Sequence, residues 1–264
     1  MKRFFTGLFI FFASTTLATM AMAEDITIVG TGDGVAVLKS IGEAFSAANA
    51  GVKIDVPESI GSGGGIKAVG ADEAKIARVA RKLKDKEAPL GLTYTPFATI
   101  PTVFCVNSSV TVDNLTAKQV ADIYAGTITD WKEVGGSSEP IRVVRREDGD
   151  STLEVLQKTF PGFKDLAITD KAKTAMKTSE MVEIVSGKAG TIAFGPLDVA
   201  QANNLKVLKI DGKAPTEAGY PSALTMAFVY KEANNTGSIK QFVEFATSSA
   251  AHAAITAKGG MVLK

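Results

Sequence analysis

The chain has little of what metal-assisted and nucleophilic catalysis draw on. Its 264 residues include one cysteine, Cys105, and one histidine, His252. A single cysteine excludes an intramolecular disulfide and every multi-cysteine zinc or redox site. A single histidine removes most histidine-based metal and triad chemistry. Charge of one sign is also missing: 29 basic side chains stand against 28 acidic ones, a formal net charge of +1. That balance excludes a strongly basic nucleic-acid binder and an acidic disordered tail. Aromatic residues make up only 7% of the chain. Beyond the N-terminal segment no stretch approaches the roughly 20 apolar residues that a spanning helix wants.

What is present suits a globular protein. Apolar residues reach 45%, and at roughly 100–200 residues per domain the length fits one large domain or two small ones. Such a chain buries a real core without a disulfide or a metal. At the N-terminus Lys2 and Arg3 precede a largely apolar run from Phe4 to Ala13, then small and polar residues, then Ala21-Met22-Ala23. That is the order of a secretory signal, with cleavage expected after Ala23. A membrane anchor is the alternative, but Thr6, Gly7, Ser14, Thr15 and Thr16 interrupt the run and leave it short. No cysteine follows the cleavage position, which argues against a lipid anchor. The expectation is a soluble, exported, periplasmic protein beginning at Glu24, and the loss of Lys2 and Arg3 leaves it one acidic group in excess.

Hydrophobic periodicity predicts strands at Ile26–Val29, Val52–Val56, Thr102–Val106, Ile141–Val144, Thr191–Phe194, Leu205–Ile210 and Met226–Tyr230. Helices are expected at Val35–Ala48, from Ile66, across Glu73–Leu83, through Gln119–Tyr124, over Leu153–Thr159 and over Ile239–Ala254. Strands alternating with helices indicate an α/β fold.

Three glycine- and hydroxyl-rich loops, Gly30–Gly34, Gly61–Gly65 and Gly149–Thr152, each follow a strand and open a helix. Free N–H groups and the positive dipole end make a helix start an anion site. Thr31, Ser62, Ser151 and Thr152 add hydroxyl donors there. Ser and Thr caps are common, so the signal lies in three such loops in one chain. The first loop also invites a dinucleotide reading with Asp55 as ribose partner, but Val35 stands where G-x-G-x-x-G wants its third glycine. Around Ser62, Ile60 replaces the first glycine of G-x-S-x-G, and His252 lies in an Ala-rich helix rather than near a nucleophile.

Several stretches together resemble the phosphate-binding proteins of ABC importers, a branch of the periplasmic binding-protein superfamily. The most specific runs from Asn114-Leu115-Thr116 through Gln119–Asp122 and Tyr124-Ala125-Gly126 to Asp130-Trp131, a helix, a glycine and a Trp-bearing turn. Val143–Thr152 resembles the family's Arg-rich anion loop and Gly61–Lys67 its second anion loop. Gly187–Phe194, and Tyr220-Pro221 before the strand at Phe228-Val229-Tyr230, fit as well, so the resemblance covers nearly the whole exported chain. It implies a two-lobe α/β fold with the ligand in a cleft and two hinge crossings. Lobe 1 would be 24–106 plus 226–264, and lobe 2 would be 107–225. It further implies an anion site built from Thr31 and Gly32, from Ser62 with Gly63, and from Arg146, Ser151 and Thr152. Arg146 would supply a fixed fork of donors suited to a tetrahedral oxyanion. Arg145 would face the other side of an extended segment.

Departures from the family pattern shape the remaining expectations. The third loop reads Asp150-Ser151-Thr152 rather than Ser-Gly-Thr, the first carries Asp33, and Ala77–Arg81 holds no acid where the family usually places an aspartate. A carboxylate repels a bound anion unless the ligand carries a proton for it to accept. Either Asp150 or Asp33 is a relocated acceptor, with Arg81 restoring charge, or the pocket has changed its ligand. The leading expectation is a cofactor-free, non-enzymatic, monomeric phosphate-binding protein serving a membrane permease, with no nucleic-acid partner. The alternatives are another oxyanion or a phosphorylated small molecule, a sensory or envelope-interaction role, and an exported hydrolase.

Overall fold

The computed structural model describes residues 24–263, so the expected leader at 1–23 lies outside the described residues. In chain order the elements are β1 (Glu24–Gly30), α1 (Val35–Ala48), β2 (Val52–Asp55), α2 (Gly61–Gly70), β3 (Ile76–Val79), β4 (Thr93–Val106), β5 (Asn114–Leu115), α3 (Ala117–Ala125), β6 (Arg142–Arg146) and α4 (Ser151–Thr159). There follow β7 (Lys173–Ala175), α5 (Thr178–Gly187), β8 (Thr191–Pro196), α6 (Leu197–Ala202), β9 (Lys206–Val207), β10 (Lys209–Ile210), β11 (Ala223–Tyr230), α7 (Gly237–Thr247) and α8 (His252–Thr256). Nine strands form one sheet in the order β2-β1-β3-β11-β4-β8-β6-β7, with β9 added on β4, and β10 pairs with β5 separately.

The long strand β4 changes partner midway. Thr93–Pro101 pairs antiparallel with β11, whereas Thr102–Val106 pairs with β8. Strands β8, β6 and β7, which fall between β4 and β11 in the chain, are added to β4's second half, so β4 joins two halves of the sheet, while α6 from the same stretch packs back on α1. In the far half, Phe104, Tyr124, Trp131, Phe160 and Phe163 form a core of their own. The Trp131 indole N–H reaches the Gly190 carbonyl at 3.0 Å, so the ring is both buried and satisfied. In the near half α1, α7 and α8 cover the sheet through Leu38, Ile41, Phe45, Phe242 and Ile255.

Three expectations differ. The helix expected across Glu73–Leu83 is instead the strand β3, wholly buried between β1 and β11. Arg78 misled the periodicity: it is fully buried, and its guanidinium donates to the carbonyls of Thr31 (2.7 Å), Ile28 and Pro57 (2.8 Å). The glycine run before Ile66 is no loop; α2 begins at Gly61. Its glycines let the helix lie on the sheet, because a Cβ at Gly65 would come within 2.9 Å of the Gly30 Cα. The expected C-terminal helix is divided into α7 and α8 by a tight turn at Ser249–Ala251.

Candidate functional site

The loop between β1 and α1 is bent by Gly30, whose φ of +132° suits glycine and whose missing Cβ leaves room for the Arg78 carbonyl. The bend turns Thr31 and Asp33 inward, and both are buried. The Asp33 carboxylate accepts a hydrogen bond from its neighbour Thr31 (Oγ1 to Oδ2, 2.9 Å). It accepts two more from the start of α4 in the other half: Ser151 to Oδ2 at 2.8 Å and Thr152 to Oδ1 at 3.1 Å. Three hydroxyls singled out from the sequence therefore converge on one point between the halves, and an acidic side chain of the chain itself sits there.

Arg146 at the end of β6 lies beside this cluster and is buried. Its fork donates to Asp150 Oδ2 at 3.0 Å and to Thr178 Oγ1 at 3.1 Å, and its Nε donates to the Ala175 carbonyl at 3.1 Å and to Glu147. Arg145 faces elsewhere, toward Asp148 and the Arg146 carbonyl. Asp150 is the N-cap of α4: its Oδ1 accepts from the backbone N–H groups of Thr152 and Leu153, both at 3.0 Å. Burial first, and then the charge of Asp33, push the Asp150 carboxyl up to about 7 against the pull of Arg146. Gly32 touches Thr178 across the halves, since a Cβ there would lie 2.7 Å from its hydroxyl.

The other expected residues are placed differently. Ser62 is buried at the start of α2, but its hydroxyl accepts from the Ala80 N–H at 3.1 Å, tying α2 to the end of β3. Gly63 lies next to Arg81, and the Arg81 fork closes on both oxygens of Glu87 at 2.8 Å. No hydrogen bond among the described residues joins Ser62, Gly63 or Arg81 to the Asp33 cluster. The cleft opens on both sides of that cluster. One cavity of about 560 Å³ is lined by Arg81, Lys84, Glu154 and Lys158, and another of about 490 Å³ by Gly32, Ser59 and Thr178.

Three polar side chains set around the first loop escaped the sequence. Asp198, at the start of α6, is buried and accepts from the Ala36 N–H at 3.1 Å, so a carboxylate 162 residues away caps α1. Its second oxygen, Oδ1, is buried without a hydrogen-bond partner, and burial raises its carboxyl to about 7. Arg78 puts a cation under the first loop; burial lowers its pKa to about 10, opposed by Asp33, Asp55 and Glu58. Thr178 opens α5, where the periodicity predicts no helix, and its local signal is the run Thr178-Ser179-Glu180. Chemically the cluster offers hydroxyl rotors, an arginine fork and, in Asp150, a carboxyl able to hold a proton, which is equipment for gripping an anion.

Comparisons with known proteins bear on the fold and the family. A family model described as PBP superfamily domain matches residues 14–250. The phosphate-binding protein PstS of Borreliella burgdorferi is 24% identical over 217 residues, covering 77% of this chain and 78% of the relative. The PstS of Bacillus subtilis is 22% identical over 244 residues, covering 90% and 80%. Among solved structures, a phosphate ABC transporter substrate-binding protein with bound phosphate from Clostridium perfringens superposes with a TM-score of 0.81 at 29% identity, covering 91% of this chain and all of that one. The described fold is that of the two-lobe binding proteins, and with the family model spanning most of its length this chain belongs to the PBP superfamily.

Proposed function

We propose that this chain is an exported solute-binding protein that captures inorganic phosphate in the cleft and delivers it to the membrane permease of an ABC importer. The observation that carries the reading is the set of hydroxyls from both lobes, Thr31 with Ser151 and Thr152, converging beside the Arg146 fork. An anion bound there touches both lobes at once, so its capture stabilises a closed shape that a membrane partner can recognise. Support comes also from relatives named for phosphate binding and from a phosphate-bound structural neighbour. In this reading lobe 1 comprises 24–106 with 226–264, lobe 2 comprises 107–225, and the mature monomer begins after Ala23 in the periplasm. Those relatives are named for binding, and the protein performs no turnover.

The acidic cluster sets the selectivity. The Asp150 oxygens are taken by the α4 backbone and by Arg146, whereas Asp33 receives only hydroxyl protons. Hydroxyls can rotate toward phosphate oxygens, leaving Asp33 to accept the proton that phosphate carries near neutral pH. Sulfate has no such proton and would meet an unrelieved carboxylate in a poorly screened cleft. Isothermal titration of the phosphate-stripped protein with phosphate and sulfate tests this: saturable one-to-one phosphate binding without comparable sulfate binding is expected. Equal affinity for the two would overturn the acceptor role, and no phosphate binding would overturn the function. A phosphorylated small molecule is a second reading, favoured by the cavity at Arg81, Lys84 and Lys158 beside the cluster; a glycerol phosphate arm of the same titration decides it.

A further inference from the structure

Lobe 2 carries a further cavity, of about 380 Å³, away from the cleft. Strands β6, β7 and β8 run parallel, and the anion cluster lies where β6 ends, at Arg146. The cavity lies at the opposite end of the same strands, against Arg142, Lys173 and Thr191, where they begin. Its wall is aliphatic: Ile123 is buried, and Ile128, Ile141 and Ile184 are only partly covered. Its rim is cationic, with Arg142, Lys171, Lys173 and Lys188 all exposed. No acidic residue lines it, and among the described residues none of these four cations makes an ion pair. Arg142 keeps one donor on the Ala189 carbonyl at 2.8 Å, which holds its guanidinium at the rim.

That combination is unusual for an ordinary surface. Four like charges gathered around an apolar hollow repel one another, and in water each is better placed apart or beside a carboxylate. The volume falls within the range of small-molecule pockets, which are mostly apolar with a few charged groups fixing orientation. We propose that this cavity is a second binding site, for an amphipathic anion: a carboxylate or phosphate head held by the rim, with an aliphatic or aromatic body on the isoleucine wall. A body-less anion such as inorganic phosphate leaves the isoleucines uncovered and binds weakly; an uncharged body leaves the rim repulsion unrelieved. The site is also linked to the cleft, because α5 begins at Thr178 beside Arg146 and ends at Gly187, next to Lys188 on the rim.

The test uses the mature protein with its cleft saturated by phosphate. Octanoate and octyl phosphate, titrated calorimetrically, are expected to bind one-to-one, and octanol at least about tenfold more weakly, a difference of about 1.4 kcal/mol. Lys173→Glu combined with Lys188→Glu, both exposed positions remote from the cluster, should cost the octyl anions about tenfold or more and leave phosphate binding unchanged. Absence of saturable binding of either octyl anion below about 1 mM would overturn the proposal. So would octanol binding as tightly, indifference to the double charge reversal, or displacement of octanoate by further phosphate, which would place the octyl chain in the cleft.

Discussion

Arg146 and Arg145 are adjacent, equally charged and unequal in setting. Arg146 is buried with its fork spread over Asp150 and Thr178, while Arg145 turns to Asp148 and a carbonyl. Removing one member of a buried charge pair costs roughly 2–5 kcal/mol, so Arg146→Ala should weaken phosphate by tens to thousands of fold. Arg145→Ala should change it little, and titration of the two variants side by side checks the register. Asp33 carries a different prediction. Asp33→Asn keeps the size and removes the charge, so it should weaken phosphate and admit sulfate; Asp150→Asn should chiefly loosen α4, seen as a lower melting temperature with the anion preference kept. The sequence made Arg146 and Asp33 visible, one through the resemblance of its segment to an Arg-rich anion loop and one as a departure from a familiar loop. It hid Arg78 and Asp198 for one reason. A buried charge satisfied by backbone groups far along the chain, at Thr31, Ile28 and Pro57 for Arg78 and at Ala36 for Asp198, leaves no local pattern.

At the level of elements, what could be read was what local periodicity and capping determine. Helix α1 was expected at Val35–Ala48 and is found there, and Thr116 caps α3 through the Gln119 N–H at 3.1 Å. Strand β3 was misread because the spacing of Arg78 and Arg81 imitates a polar helix face, although its burial is set by β1 and β11 on either side. Helix α2 shows how backbone contact can override propensity. Five of its ten residues are glycine, poor helix formers, yet their lack of side chains permits close contact with the sheet. Gly65→Ala, a gain in intrinsic propensity, should therefore destabilise by about 1–3 kcal/mol through overpacking against Gly30 and Ala77, measured by urea unfolding. The start of α1 is pH-sensitive. Asp198 rises from 3.8 to about 7 in the folded protein, so the folded state keeps a proton that the unfolded chain releases. Its contribution is full below pH 3.8 and lost as pH rises through about 7. The melting temperature without phosphate should fall between pH 5 and 8, and Asp198→Asn should make that fall shallower.

For the whole molecule, ligand and fold are coupled through the cleft. Phosphate bound to the folded state alone stabilises by about 2.7 kcal/mol at one hundred times its Kd, so melting temperature should climb with phosphate concentration and stay flat with sulfate. The partner switch in β4 has a consequence of another kind, in time rather than in affinity. Strand β3 lies between β1 and β11, and β11 is about 150 residues downstream. Until that strand emerges from the ribosome, the near lobe lacks the centre of its sheet and cannot close its core. Distant pairings form slowly because loop closure must precede the contacts that reward it. Under the exported role proposed above such a delay is an advantage: the last strand to be made acts as the lock on folding, and passage across a membrane has the duration of synthesis in which to begin.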